Sequence, residues 1–247
     1  MPEELQRLRL VALNIDGVLL NDTFSPVIHH FVVSRGGEYN ADTERRIFSQ
    51  PQRTAGEELA ASVPLDMTGE QALAAYFGDR EAYLRTHPVE LMDGAVELLL
   101  RLRSLGLQTV CYGGLEADHF ERHLGQHSPL FDGPRYVCTN DFRPGIGQIT
   151  TGVFGLRHDQ VLFVDDVARV AEAAADLNVP FVGLPSSFEY GFQRQLMCET
   201  GVLHLVDSLH RIDEELLRTL DTEAAAGTSW RRPAGAAASL AAPSGDR

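Results

Sequence analysis

The sequence predicts an α/β protein built on a doubly wound parallel sheet, with a helical segment inserted after its first strand. Three observations carry that expectation. Short apolar runs bounded by turn residues recur at Leu8–Leu13, Gln108–Tyr112, Arg135–Thr139, Gln160–Val164 and Pro180–Leu184. Helix-like stretches of about ten residues lie between them, and such alternation makes βαβ units whose sheet is covered on both faces. Residues 20–90 break the rhythm with helical segments at Asp42–Ser49, Gly56–Ser62 and Gly69–Phe77.

Each element has its own signal. Leu8–Leu13 is a buried apolar run and reads as the first strand. The core resumes near residue 88 with Gly94–Ser104, whose Ala95, Val96, Leu98, Leu99, Leu100 and Leu102 read as an amphipathic helix that ends at Gly106. Gln108–Tyr112 is a short strand and Glu116–Leu124 a helix; Arg135–Thr139 is a further strand. Gln160–Val164 is apolar throughout, as a strand buried on both faces must be, and it runs into Asp165-Asp166. A small-residue helix, Ala168–Leu177, leads to a final strand at Pro180–Leu184.

The expected division is a core of 1–19 plus 88–220, an insert of 20–87, and a tail of 221–247. That tail is rich in Ala, Gly, Pro and Ser and predicts disorder, with Trp230 a stray aromatic within it. Ligands of open α/β sheets bind beyond the carboxyl ends of the strands, so the insert would roof the site.

Composition excludes several classes. The 247 residues suit one large domain or a core with an insert, and 44% hydrophobic with 23% charged is ordinary for a globular chain. The net charge of −14 argues against a nucleic-acid partner, which needs a basic footprint. No apolar run approaches the roughly 20 residues that span a bilayer. The opening residues mix acids with arginines and lack an apolar signal core, so a cytoplasmic location is expected. Cys111, Cys138 and Cys198 are widely spaced and read as free thiols of a reducing compartment. All 21 basic residues are arginine, so no Schiff base and no lysine-held phosphoryl group can form.

The segment Leu8–Leu20, LRLVALNIDGVLL, ends its apolar run in Asn14-Ile15-Asp16-Gly17-Val18. It resembles the first motif of the haloacid dehalogenase (HAD) superfamily, hhhhDxDGVL, with Asn14 in place of the first aspartate. The resemblance implies a HAD-like core with a cap, in which the first acid attacks a phosphoryl group and binds Mg²⁺. Asp16 then matches the general acid and base, while Asn14 stands at the nucleophile, where an amide is very poor. Gly113 falls where the family has Ser or Thr, leaving the backbone of Gly113 and Gly114 to face an anion. Arg143, before Pro144, takes the place of the family's phosphate-facing lysine, with a different geometry. Val161–Asp166 resembles the hhhhDD motif, which makes Asp165 and Asp166, together with Asp16, the expected Mg²⁺ ligands, the metal held weakly or lost. An N-cap role for Asp166 is the plain alternative.

Other candidates weigh less. His29-His30 reads as surface or packing histidines and Arg45, Arg46 and Arg53 as a solvated helix face, with ligand contact the lesser reading for both. The expected function is a HAD-like protein without aspartyl-phosphate chemistry, acting on a small phosphorylated ligand or a protein partner by binding. The alternative is an Mg²⁺-dependent hydrolase of a small phosphorylated metabolite, in which Asp16 activates water.

Overall fold

The computed structural model describes residues 5–230. Six parallel strands form one sheet: β1 (Leu10–Asn14), β2 (Gln108–Gly113), β3 (Tyr136–Cys138), β4 (Val161–Asp165), β5 (Phe181–Gly183) and β6 (His204–Leu205). Their order is β3-β2-β1-β4-β5-β6, so the winding reverses between β1 and β4. That reversal opens a crevice at the strand ends, where α/β sheets of this kind bind ligands. The fold class is the one the sequence predicts. The two-residue β6 escaped notice because so short a strand carries no periodicity.

Strand alternation divides the core. Leu10 and Ala12 of β1 join Val161 and Phe163 of β4 on one side of the sheet, packed with α7 (Ala168–Asp176) and α8 (Gln193–Thr200). Val11, Leu13, Leu162 and Val164 point the other way. They meet α5 (Ala95–Ser104), α6 (Ala117–Leu124) and α9 (Glu214–Ala226). Successive side chains of a strand face opposite sides, so runs without a polar residue are what a doubly covered sheet requires.

Of the helices between β1 and β2, four precede the core helix α5 and make up the insert: α1 (Ser25–Ser34), α2 (Ala41–Ile47), α3 (Gln52–Ala61) and α4 (Gly69–Leu84). The last starts with a capping box, Thr68 and Gln71 satisfying each other's backbone N–H groups. Helix α1 is not among the segments that the sequence pattern marks as helical. The insert leaves and re-enters the core at one place. There the Met92 N–H donates to the Leu19 carbonyl (2.9 Å) and the Asn21 N–H to the Glu90 carbonyl (3.0 Å). The insert shares a hydrophobic cluster with the sheet, through Val27, Phe31, Ile47, Leu59 and Tyr76.

The expected disordered tail is corrected over residues 221–230. Helix α9 runs on to Ala226, buries Leu217, Leu220 and Ala224, and closes on Gly227 in the left-handed region (φ 69°). An alanine-rich stretch is a good helix former once an apolar stripe anchors it. Trp230 is docked, its indole N–H donating to the Val179 carbonyl (2.9 Å) and its ring lying against Phe181. The remainder of the tail lies outside the described residues.

A candidate ligand pocket at the strand ends

Asn14 is the last residue of β1, and Asp165 the last of β4, so both motifs end at the crevice. The Asn14 amide donates to Asp166 Oδ1 (2.8 Å) and to the carbonyl of Asp16 (2.7 Å). Two facing carboxylates would repel each other and call for a cation between them. An amide facing a carboxylate calls for none, because it supplies its own donor. The turn that follows needs Gly17, with φ +86°; a Cβ there would stand 2.1 Å from Asp166 Oδ2.

The acid pair splits. Asp165 and Asp166 are adjacent, and adjacent residues leaving a strand project to opposite sides. Asp165 points into the core, where its Oδ2 accepts from the Tyr112 hydroxyl (2.5 Å) and its Oδ1 from the Val167 N–H (2.8 Å). Asp166 turns to Asn14 and lines the pocket. Burial raises both carboxyls above the usual range, and Asp166 is lifted further by the Asp165 charge beside it. Asp166 is not the N-cap of α7. Val167 stands at that position, and the Ala168 N–H donates to Gln193 Oε1 (2.7 Å).

Asp16 Oδ1 lies 2.8 Å from Nε2 of His119, in the first turn of α6. A carboxylate that orients an imidazole is a pairing used in acid–base catalysis. The sequence reading passed over His119. The signal was its place two residues inside the helix that follows the Gly113-Gly114 turn.

The expected metal ligands therefore do not assemble a site. Asp16 faces His119, Asp165 is closed off by Tyr112 and Val167, and Asp166 is held by the Asn14 amide. Among the described residues no group of three or more His, Cys, Asp or Glu is placed to hold a metal ion. The three expected carboxylates thus do not fit Mg²⁺ as a joint set of ligands.

Gly113 and Gly114 also part company. Gly113 is buried behind the pocket, where a Cβ would meet Ile15 Cγ2 at 2.5 Å; its carbonyl accepts from the Thr139 N–H (2.7 Å). Gly114 lines the pocket, and a Cβ on it would fall 2.1 Å from Nη1 of Arg143. Glycine at 114 is what lets the guanidinium lie across the turn. Arg143 has no ion-pair or hydrogen-bond partner among the described residues, and its Nε is buried without one. The other arginines singled out in the sequence are engaged: Arg45 with Glu172 (3.0 Å), Arg46 with Glu58 (3.2 Å), and Arg53 with Glu57 (3.3 Å). His29 is a packing residue, stacked on Tyr190 with ring centroids 4.6 Å apart.

The pocket itself lies between strand ends and insert, a cavity of about 120 Å³. Phe24, Ile28, Phe48, Leu59 and Phe77 supply apolar lining, and the polar lining comes from the strand ends (Asn14, Asp16, Asp166, Asn140, Arg143) and from the insert (Asp22, Ser49, Gln52). Asn140 also pins the insert, accepting from the Gln52 N–H (2.9 Å).

No family model matches the sequence, and no curated protein matches it. Solved structures do match in shape. A HAD hydrolase (family IA, variant 3) from Entamoeba histolytica has a TM-score of 0.62 at 14% identity, covering 87% of this chain and 100% of its own. The fold is HAD-like. A conserved haloacid dehalogenase-like protein from Agrobacterium tumefaciens has a TM-score of 0.61 at 17% identity, covering 86% and 99%. A HAD family hydrolase from Deinococcus radiodurans, solved with bound phosphate and sodium, has a TM-score of 0.57 at 17% identity, covering 87% and 97%. At such identities the HAD-like likeness speaks for the fold and not for the chemistry.

Proposed function

We propose that this HAD-like protein does not form an aspartyl-phosphate and instead binds a small phosphorylated ligand between its strand ends and its inserted helices, which act as a cap. The hydrogen bond from the Asn14 amide to Asp166 carries the reading. Covalent phosphoryl transfer needs an activated nucleophile where Asn14 supplies a neutral amide. The cation that a bound phosphate needs is Arg143, which lines the pocket without an ion-pair or hydrogen-bond partner among the described residues and can bind phosphate through two parallel N–H donors. A neighbour of the same fold was solved with bound phosphate, which makes a phosphate ligand a reasonable choice for the test.

A second reading rests on the Asp16–His119 pair, which would let Asp16 activate water on a phosphate ester without a covalent intermediate. One experiment separates the two. Phosphate release from a panel of phosphorylated metabolites is measured for the unaltered chain and for Asn14→Asp, with and without Mg²⁺. The binding reading expects no release from the unaltered chain. It also expects Asn14→Asp to gain Mg²⁺ affinity, because two carboxylates then face each other. Turnover by the unaltered chain overturns it in favour of the water-activating reading.

A further inference from the structure

The insert's side of the pocket carries polar atoms that the fold leaves without partners. Asp22 Oδ2 and the hydroxyls of Ser49 and Tyr76 are buried there, with no hydrogen bond among the described residues. Ser49 is 8% exposed and Tyr76 4%. Buried polar atoms are nearly always paired, so three orphans lining one cavity point to a ligand that pairs them. Ser49 also holds a left-handed backbone (φ 53°), a strain that clusters at ligand sites when a residue with a side chain bears it.

Charge narrows the kind of ligand. Asp16, Asp22 and Asp166 line the cavity against one cation, Arg143, among the described residues. Asp16 and Asp166 have donors of their own in His119 and the Asn14 amide. Asp22 spends Oδ1 on the Phe24 and Ser25 N–H groups, each at 2.9 Å, and leaves Oδ2 unpaired. Its charge reaches Tyr76, where it adds to the rise of the phenol that burial mainly causes. A carboxylate oxygen only accepts, and a charged donor satisfies it best. An ammonium group has three donors and no acceptor, one donor for each orphan oxygen. The distance between the two ends is short, since a cavity of roughly 150 Å³ takes up benzene and this one measures about 120 Å³.

We infer that the pocket takes a compact zwitterionic phosphate monoester, its phosphate on Arg143 and its ammonium among Asp22, Ser49 and Tyr76. This inference rests on the phospho-ligand reading above and adds the chemistry of the ligand's other end.

Calorimetric titration of the whole protein with inorganic phosphate, propyl phosphate, glycerol phosphate and aminoethyl phosphate tests it. Propyl phosphate has the shape of aminoethyl phosphate with a methyl in place of the ammonium, and glycerol phosphate offers neutral hydroxyls. Aminoethyl phosphate is expected to bind at least about tenfold more tightly than either, the gain of a charged hydrogen bond to a buried acceptor. Arg143→Ala should weaken all four. Asp22→Asn retains the oxygen that accepts from Phe24 and Ser25, so the turn into α1 is kept. It should bring aminoethyl phosphate to within about threefold of propyl phosphate. Tyr76→Phe removes a hydroxyl that has no partner, so it should melt no lower than the unaltered chain. It should still bind aminoethyl phosphate about threefold more weakly, which a merely structural role would not produce. Suppose instead that binding depends on Arg143 but propyl or glycerol phosphate matches aminoethyl phosphate, or that either insert variant keeps the full affinity. The inference is then overturned while the phospho-ligand reading stands. Should none of the four bind, or should Arg143→Ala bind them unchanged, that reading falls and takes the inference with it.

Discussion

One functional group decides the character of this site. Replacing a carboxylate by an amide at Asn14 removes a negative charge and a nucleophile, and adds a donor that closes on Asp166. The neighbouring Gly17 is fixed by the same arrangement, through its positive φ and the closeness of Asp166. Gly17→Ala should therefore cost both backbone strain and a side-chain clash. Gly106 separates the two contributions, because its φ is also positive (+76°) but nothing lies within 4 Å of a Cβ built on it. Gly106→Ala should lose about 1 kcal/mol, and Gly17→Ala at least about 2 kcal/mol more, since the Asp166 carboxylate cannot retreat from its bond to Asn14. Thermal denaturation of both variants decides the matter. Equal losses would mean that Asp166 yields freely and that the Asn14–Asp166 contact is slack.

Among the elements, α9 does the work that the sequence assigned to none. The N–H groups of Gln6, Arg7 and Leu8 all donate to the Asp221 carboxylate, each at 2.7 Å. The chain entering β1 is thereby tied to the C-terminal helix, more than 200 residues away in sequence. With Asp221→Ala, three backbone donors lose their acceptor, one of them buried, so urea denaturation should show a loss of about 3 kcal/mol. Asp221→Asn keeps one acceptor oxygen and should lose roughly half as much. A loss below about 0.5 kcal/mol for Ala would show that the entering segment holds without the helix. Nothing in the local sequence announces this contact. Asp221 sits among ordinary helix formers, and its partners are backbone groups, which leave no mark on residue type. The strands, by contrast, were legible because burial on both faces forbids polar residues. Asp16 and Asp166 line the pocket because they follow the ends of β1 and β4 directly, whereas Arg143 reaches it from the loop beyond β3. Asp165 and Gly113 were misplaced for one reason: adjacent residues at a strand end face opposite ways, so only one of each pair reaches the pocket.

On the scale of the whole molecule, the insert is fastened rather than hinged freely. Glu44 of α2 is fully buried and accepts from the Tyr39 hydroxyl (2.6 Å), the Phe192 N–H (3.0 Å) and Gln193 Nε2 (2.8 Å). Arg45 reaches Glu172 of α7, and His29 of α1 stacks on Tyr190 of the β5–α8 loop. No cation lies within ion-pair distance of Glu44 among the described residues, so desolvation dominates and lifts its carboxyl above the ordinary 4.5. Tyr39, Phe192 and Gln193 oppose the rise through their hydrogen bonds, and the Asp22 charge adds to it. The sign of the linkage follows. An acid whose folded pKa is raised binds more protons in the folded state between the two pKa values, so stability falls as pH rises through that interval. The advantage is whole below the unfolded value of 4.5 and is lost above the raised folded one. Glu44→Gln cannot titrate, and it keeps an acceptor for Phe192 and Gln193. Its melting temperature relative to the unaltered chain should therefore climb as the buffer goes from about pH 4.5 to pH 7.5. A difference that stays flat across that range would show that Glu44 ionises in the folded protein as easily as in water, and that the fastening of insert to core is solvated.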